Sequence, residues 1–114
     1  MSPRAKEYQH EVRYEFDRGP SFIRYIRFGF DLEAGKPVRC MIQYEVDFGD
    51  RTFALMRFDT ADDGYHRHSP GLLQPGPERT YLPGVPSYEW VDHAIDEIKQ
   101  YYPLWETKVQ APWL

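Results

Sequence analysis

Val38-Arg39-Cys40-Met41-Ile42-Gln43-Tyr44-Glu45-Val46-Asp47-Phe48 alternates with a period of two. Val38, Cys40, Ile42, Tyr44, Val46 and Phe48 fall on one face, and Arg39, Met41, Gln43, Glu45 and Asp47 on the other. That is the signature of a β-strand with one face in a core. Gly49-Asp50 follows at once and reads as a two-residue hairpin turn with glycine first. The return strand then sets Val46 opposite Phe53, Tyr44 opposite Leu55 and Ile42 opposite Arg57. In that register Arg57 and Asp59 point toward the core face at the strand's end. A slip of one residue would send each side chain to the opposite face.

Two earlier strands extend the pattern. In His10–Asp17, Val12, Tyr14 and Phe16 alternate with charged residues, and Asp17-Arg18-Gly19-Pro20-Ser21 supplies turn chemistry. Phe22–Phe30 sets Phe22, Ile26, Phe28 and Phe30 against Ile23, Tyr25 and Arg27, as in a central strand. Glu33-Ala34-Gly35-Lys36-Pro37 connects it to the decisive stretch. After Phe58 the texture changes. Asp59 to Pro86 is rich in Gly, Pro, Asp and His, and reads as a long surface loop with a short edge strand at Glu78–Leu82.

One helix follows, capped by Ser87, with Val91, Ala94, Ile95, Ile98 and Tyr102 on its apolar face. Pro103 is expected to end it. The apolar tail, 103–114, carries Leu104, Trp105, Val109 and Trp113. It is expected on the sheet's second face, over Ile23, Met41, Met56 and Phe58, or on a partner. The expectation is a single α+β domain over 1–114: an antiparallel meander of four to five strands with one C-terminal helix packed on one face, residues 57–86 forming the strand end and long loop.

The composition fits. The 114 residues suit one domain, and 3 Trp, 9 Tyr and 7 Phe give a small core bulk. Cys40, the single cysteine, excludes an internal disulfide, and Met1–His10 is polar with no apolar run, so a cytoplasmic protein without a membrane span is expected. Net charge is −4. Residues 1–58 balance to +1 and residues 59–114 to −5, which argues against a polyanion-binding surface in the second half. RNA contacts would fall to arginines of the first half.

Chemistry concentrates in Arg57-Phe58-Asp59-Thr60-Ala61-Asp62-Asp63-Gly64-Tyr65-His66-Arg67-His68. An Arg, an Asp and two His on one rim could serve acid/base catalysis, with a cation for an oxyanion or phosphate. Two imidazoles can cleave a ribose phosphate without metal, and no cofactor is expected. Tyr65 could stack a base and Arg67 hold phosphate. The bland alternative is an ordinary Arg57–Asp59 salt bridge beside loop histidines. A metal site is a further option, because His66 and His68 with Asp59, Asp62 or Asp63 offer ligands suited to Zn²⁺, Fe²⁺ or Mn²⁺. His10 and His93 read as surface residues and Cys40 as a packed thiol.

Through Arg57-Phe58-Asp59-Thr60-Ala61 followed by His66-Arg67-His68, the chain resembles small bacterial toxins of the TumE-like kind. The resemblance implies a toxin that acts on RNA or translation, silenced by a cognate antitoxin, with Arg57, Asp59, His66 and His68 carrying over. The alternative is a non-enzymatic binding module, antitoxin-like or adaptor, acting through its aromatic surface and apolar tail. That reading predicts self-association or a stable partner.

Overall fold

The structure, a computed structural model, describes residues 7–60 and 64–114. Six strands run in chain order across one antiparallel sheet: β1 (His10–Arg18), β2 (Ile23–Glu33), β3 (Lys36–Asp47), β4 (Thr52–Asp59), β5 (His66–His68) and β6 (Arg79–Tyr81). A single helix, α1 (Trp90–Lys108), crosses one face over β3 and β4. The class is α+β, as expected. The strand count is six because His66–His68, read as loop, pairs with β4 on one side and β6 on the other.

The hairpin turn forms at Gly49-Asp50, where Phe48 N–H donates to Arg51 O at 2.9 Å. Gly49 sits at φ 93°, a conformation few side chains tolerate. Val46 faces Phe53 as expected, but the register then shifts. Glu45 pairs with Ala54 while Tyr44 pairs with Met56, leaving Leu55 as the extra residue of a β-bulge. Leu55 and Met56 both join the core beneath α1. From there the alternation is inverted, so Ile42 faces Phe58 and Gln43 faces Arg57. The expected pairs Tyr44–Leu55 and Ile42–Arg57 are therefore corrected. Met56 and Phe58 lie under the helix, and Arg57 and Asp59 point to the other face.

The core gathers Ile26, Ile42, Tyr44, Val46, Phe53, Leu55 and Phe58 from the sheet, with Ala94, Ile98 and Trp105 from the helix. Two helix expectations are corrected. Glu89, not Ser87, takes the N-cap position, and Pro103 lies inside the helix. A proline there removes the bond to the Lys99 carbonyl, at a cost of about 3 kcal/mol. Pro103 and Lys99 are both exposed, so that carbonyl faces water. Beyond Pro103, burial of Trp105 against Tyr44 and Phe58 and a bond from Thr107 Oγ1 to Pro103 O hold the last turn. The tail packs on the helix face too, not on the second face. Trp113 packs at a tilt among Phe22, Phe48 and Phe53.

The second face is polar, and two charge sets cover it. Arg27 makes a paired contact with Glu45 at 2.8 and 2.9 Å, and Gln43 Nε2 donates to the same carboxylate at 2.6 Å. Arg13 lies over the Tyr25 ring and 3.1 Å from Asp47. Tyr8, from the stretch read as polar, is buried with its ring close to Gly29. A Cβ at Gly29 would stand 2.9 Å from its ring, so the glycine is what lets it approach. Among the described residues no helix is long and apolar enough to cross a membrane.

Candidate functional site on the polar strand face

The bulge in β4 delivers Arg57 and Asp59 to this polar face, beside Gln43 and Glu45 of β3. Antiparallel pairing of Asp59 with His66 brings β5 alongside, and with alternation His66 and His68 share that face. The connection between β5 and β6 folds back over the open part of β4. Ala54 N–H donates to Leu73 O at 3.1 Å and Gly71 N–H to Leu55 O at 3.0 Å. A hollow of about 580 Å³ results, its floor made by Gln43, Glu45, Arg57, Asp59 and His68, with Arg39 and Arg79 at the rim and residues 73–75 as one wall.

Asp59 is the hub. Its side chain is only 7% exposed. Oδ2 accepts from Arg57 Nε and lies against His68 Nε2, both at 3.2 Å. Oδ1 lies 3.0 Å from His66 Nε2, yet that nitrogen forms no hydrogen bond. His66 is fully buried, its ring between those of His68 and Tyr81, each 5.2 Å away. Both rings are oriented by main chain. His66 Nδ1 donates to Gly64 O at 2.9 Å and His68 Nδ1 to Gly76 O at 3.1 Å. A carbonyl can only accept, so each Nδ1 carries a proton and each Nε2 turns toward the same carboxylate.

Arg57 is locked from the other side. Glu7 takes its two terminal nitrogens at 2.7 and 3.1 Å, and the Tyr8 hydroxyl accepts at 2.9 Å. Burial alone would weaken the guanidinium's hold on its proton, but Glu7 and Tyr8 more than offset this, and Arg57 is a permanent cation. Burial likewise raises the Tyr8 phenol, with Arg57 opposing.

Of the residues singled out in the sequence, Arg57, Asp59, His66 and His68 converge, with His66 fully buried beside Asp59 and the other three lining the hollow. Tyr65 and Arg67 do not join them. Alternation puts both on the helix face, where Tyr65 stacks on Phe58, packs at a tilt on Trp90 and bonds His93 Nδ1 through its hydroxyl at 2.9 Å. Burial, then Glu97, pushes its phenol up. Arg67 lies 3.9 Å from Glu97. Asp62 and Asp63 lie outside the described residues. His93 is half-buried instead of solvated, and His10 stacks on Phe30. Cys40 is buried, with its thiol pushed up by burial and then by Asp31, as a packed thiol should be. Glu7, Tyr8 and Arg79 were not anticipated. The signal available was the run of Gln43, Glu45 and Asp47, too polar for a second core.

The family model for DUF7718, a domain of unknown function, matches residues 5–108. This chain belongs to the DUF7718 family. Neither a curated protein nor a solved structure matches it. The DUF7718 match spans every strand and the whole helix, so the hollow and its Asp59 hub lie within the family's domain.

Proposed function

We propose that this chain is a cytoplasmic, toxin-like enzyme that cleaves RNA phosphodiester bonds in the polar hollow and is silenced by a cognate partner protein. The observation that carries the reading is the Asp59 carboxylate, set between the Arg57 guanidinium and the His68 imidazole at 3.2 Å from each, on the floor of an open cleft. Arg57 is held rigid by Glu7, so its charge is fixed in place before substrate arrives. The Asp59–His68 edge is where the attacking oxygen is activated. Arg39 and Arg79 at the rim offer cations to a polyanion, beside the carboxylates of Glu7 and Glu45 and in a chain that is acidic as a whole.

The test is cleavage of a mixed-sequence RNA by the purified chain, together with growth on induced expression. His68→Ala and Asp59→Asn each lower the cleavage rate by about 100-fold or more and relieve growth arrest. RNA left intact by the native chain, or arrest undiminished in both variants, rejects the reading.

A further inference from the structure

We propose that Asp59, His66 and His68 form a binding site for one divalent transition metal ion, zinc being the best fit. The site stands on geometry and goes beyond the RNA reading; only its catalytic consequence rests on that reading.

One carboxylate oxygen and two imidazole nitrogens lie within 4.8 Å of one another. The Asp59 oxygens stand 3.0 and 3.2 Å from the two Nε2 atoms. Two ligands on a tetrahedral zinc, with bonds of about 2.0–2.1 Å, are separated by about 3.3 Å. Both oxygen–nitrogen spacings are already close to this value, and the widest of the ligand pairs, within 4.8 Å, closes by at most about 1.5 Å.

The orientation of the rings is the second argument. Metal-bound histidines typically give their remote N–H to a carbonyl or carboxylate, which fixes the tautomer and aims the lone pair. His66 and His68 both do this, through Gly64 O and Gly76 O. The result would otherwise be unfavourable. His66 Nε2 is fully buried, makes no hydrogen bond and has a carboxylate oxygen at 3.0 Å. An orphaned buried polar atom costs about 1–3 kcal/mol. A cation between nitrogen and oxygen turns that repulsion into two bonds.

The third argument is charge. Arg57 is matched by Glu7, and Arg27 by Glu45. The Asp59 carboxylate, which also accepts from Arg57, faces both imidazoles. Three protein ligands, two of which, Asp59 and His68, line the hollow, match the pattern of a catalytic zinc site, where the open position takes water or substrate oxygen. An added cation would join Arg57 and the rim arginines Arg39 and Arg79 in meeting the charge of a phosphate.

The experiment uses the full chain, stripped by chelator and dialysed, then loaded with zinc and separately with cobalt. One equivalent of zinc per chain by elemental analysis is expected, with a cobalt visible spectrum of a low-coordinate nitrogen and oxygen site. His68→Gln, at a partly exposed position, lowers zinc affinity by about 10- to 100-fold with an unchanged circular dichroism spectrum. His66→Gln does the same if it folds. His93→Gln, outside the site, binds zinc like the native chain. Zinc bound no better by the native chain than by His68→Gln overturns the proposal. Zinc binding without RNA cleavage sinks the phosphodiester reading and leaves the metal site standing. RNA cleavage by a chain shown to bind no zinc does the reverse.

Discussion

Glu106, in the last turn of α1, grips Arg24 of β2 with both carboxylate oxygens, at 2.8 and 3.0 Å. The Tyr44 hydroxyl and the Trp113 indole donate to the same carboxylate, which ties helix, sheet and tail at one buried point. Burial by itself would raise the Glu106 carboxyl, but Arg24, Tyr44 and Trp113 outweigh it and hold it below the ordinary range. A depressed folded value stabilises the protein above the unfolded carboxyl value, about 4.3, and that stability is lost as pH falls through the folded value. Denaturant melts between pH 7 and pH 3 should show stability falling toward the acid end. Glu106→Gln should flatten that slope, and Glu106→Ala should cost about 3–5 kcal/mol at pH 7. An unchanged slope in Glu106→Gln assigns the acid sensitivity elsewhere.

Phe58 is fully buried under the helix because of the bulge at Leu55. Phe58→Ala should cost about 3–5 kcal/mol by urea unfolding. A loss below about 1 kcal/mol would mean that Phe58 lies on the polar face and that the bulge is absent.

Gly29→Ala tests how Tyr8 is seated. Replacing glycine by alanine in a strand ordinarily helps, by roughly 0.5–1 kcal/mol. Here the added methyl meets the Tyr8 ring at 2.9 Å and the Met41 methyl at 3.2 Å. The sign should reverse, with a loss of about 1–3 kcal/mol. A gain in melting temperature would refute the packing of Tyr8 on this face.

Pro103→Ala restores an N–H for the Lys99 carbonyl at an exposed position. It should raise stability by about 1–3 kcal/mol, read as a higher melting temperature. A lower one would show that the ring itself supports the helix.

Much of the sheet was legible because strand periodicity is local. The run Val38–Phe48 shows its faces without reference to any other segment, and Gly49-Asp50 names its own turn. The bulge was not legible. Leu55-Met56 reads as ordinary alternation, and only the packing of both side chains under α1 reveals the extra residue. That one residue moved Arg57 and Asp59 across the sheet, so the convergence of Arg57, Asp59, His66 and His68 was anticipated while its face was not. Pro103 misled for a related reason. Its local cost is real, but the Glu106–Arg24 pair and buried Trp105 lie beyond it and exceed it. Tyr8 and Glu7 are joined to Arg57 across about fifty positions of chain, a separation that no periodic pattern encodes.

The proline-rich connection between β5 and β6 takes two main-chain bonds with β4, at Ala54 and Leu55, where β5 is too short to reach. It thus serves as a seventh, irregular ribbon hemmed to the sheet, and the amides of Ala54 in β4 and Gly71 in the connection should resist hydrogen exchange. A visiting molecule meets a mould already cast. Its capture should follow simple second-order kinetics, with no slow phase for ordering the wall.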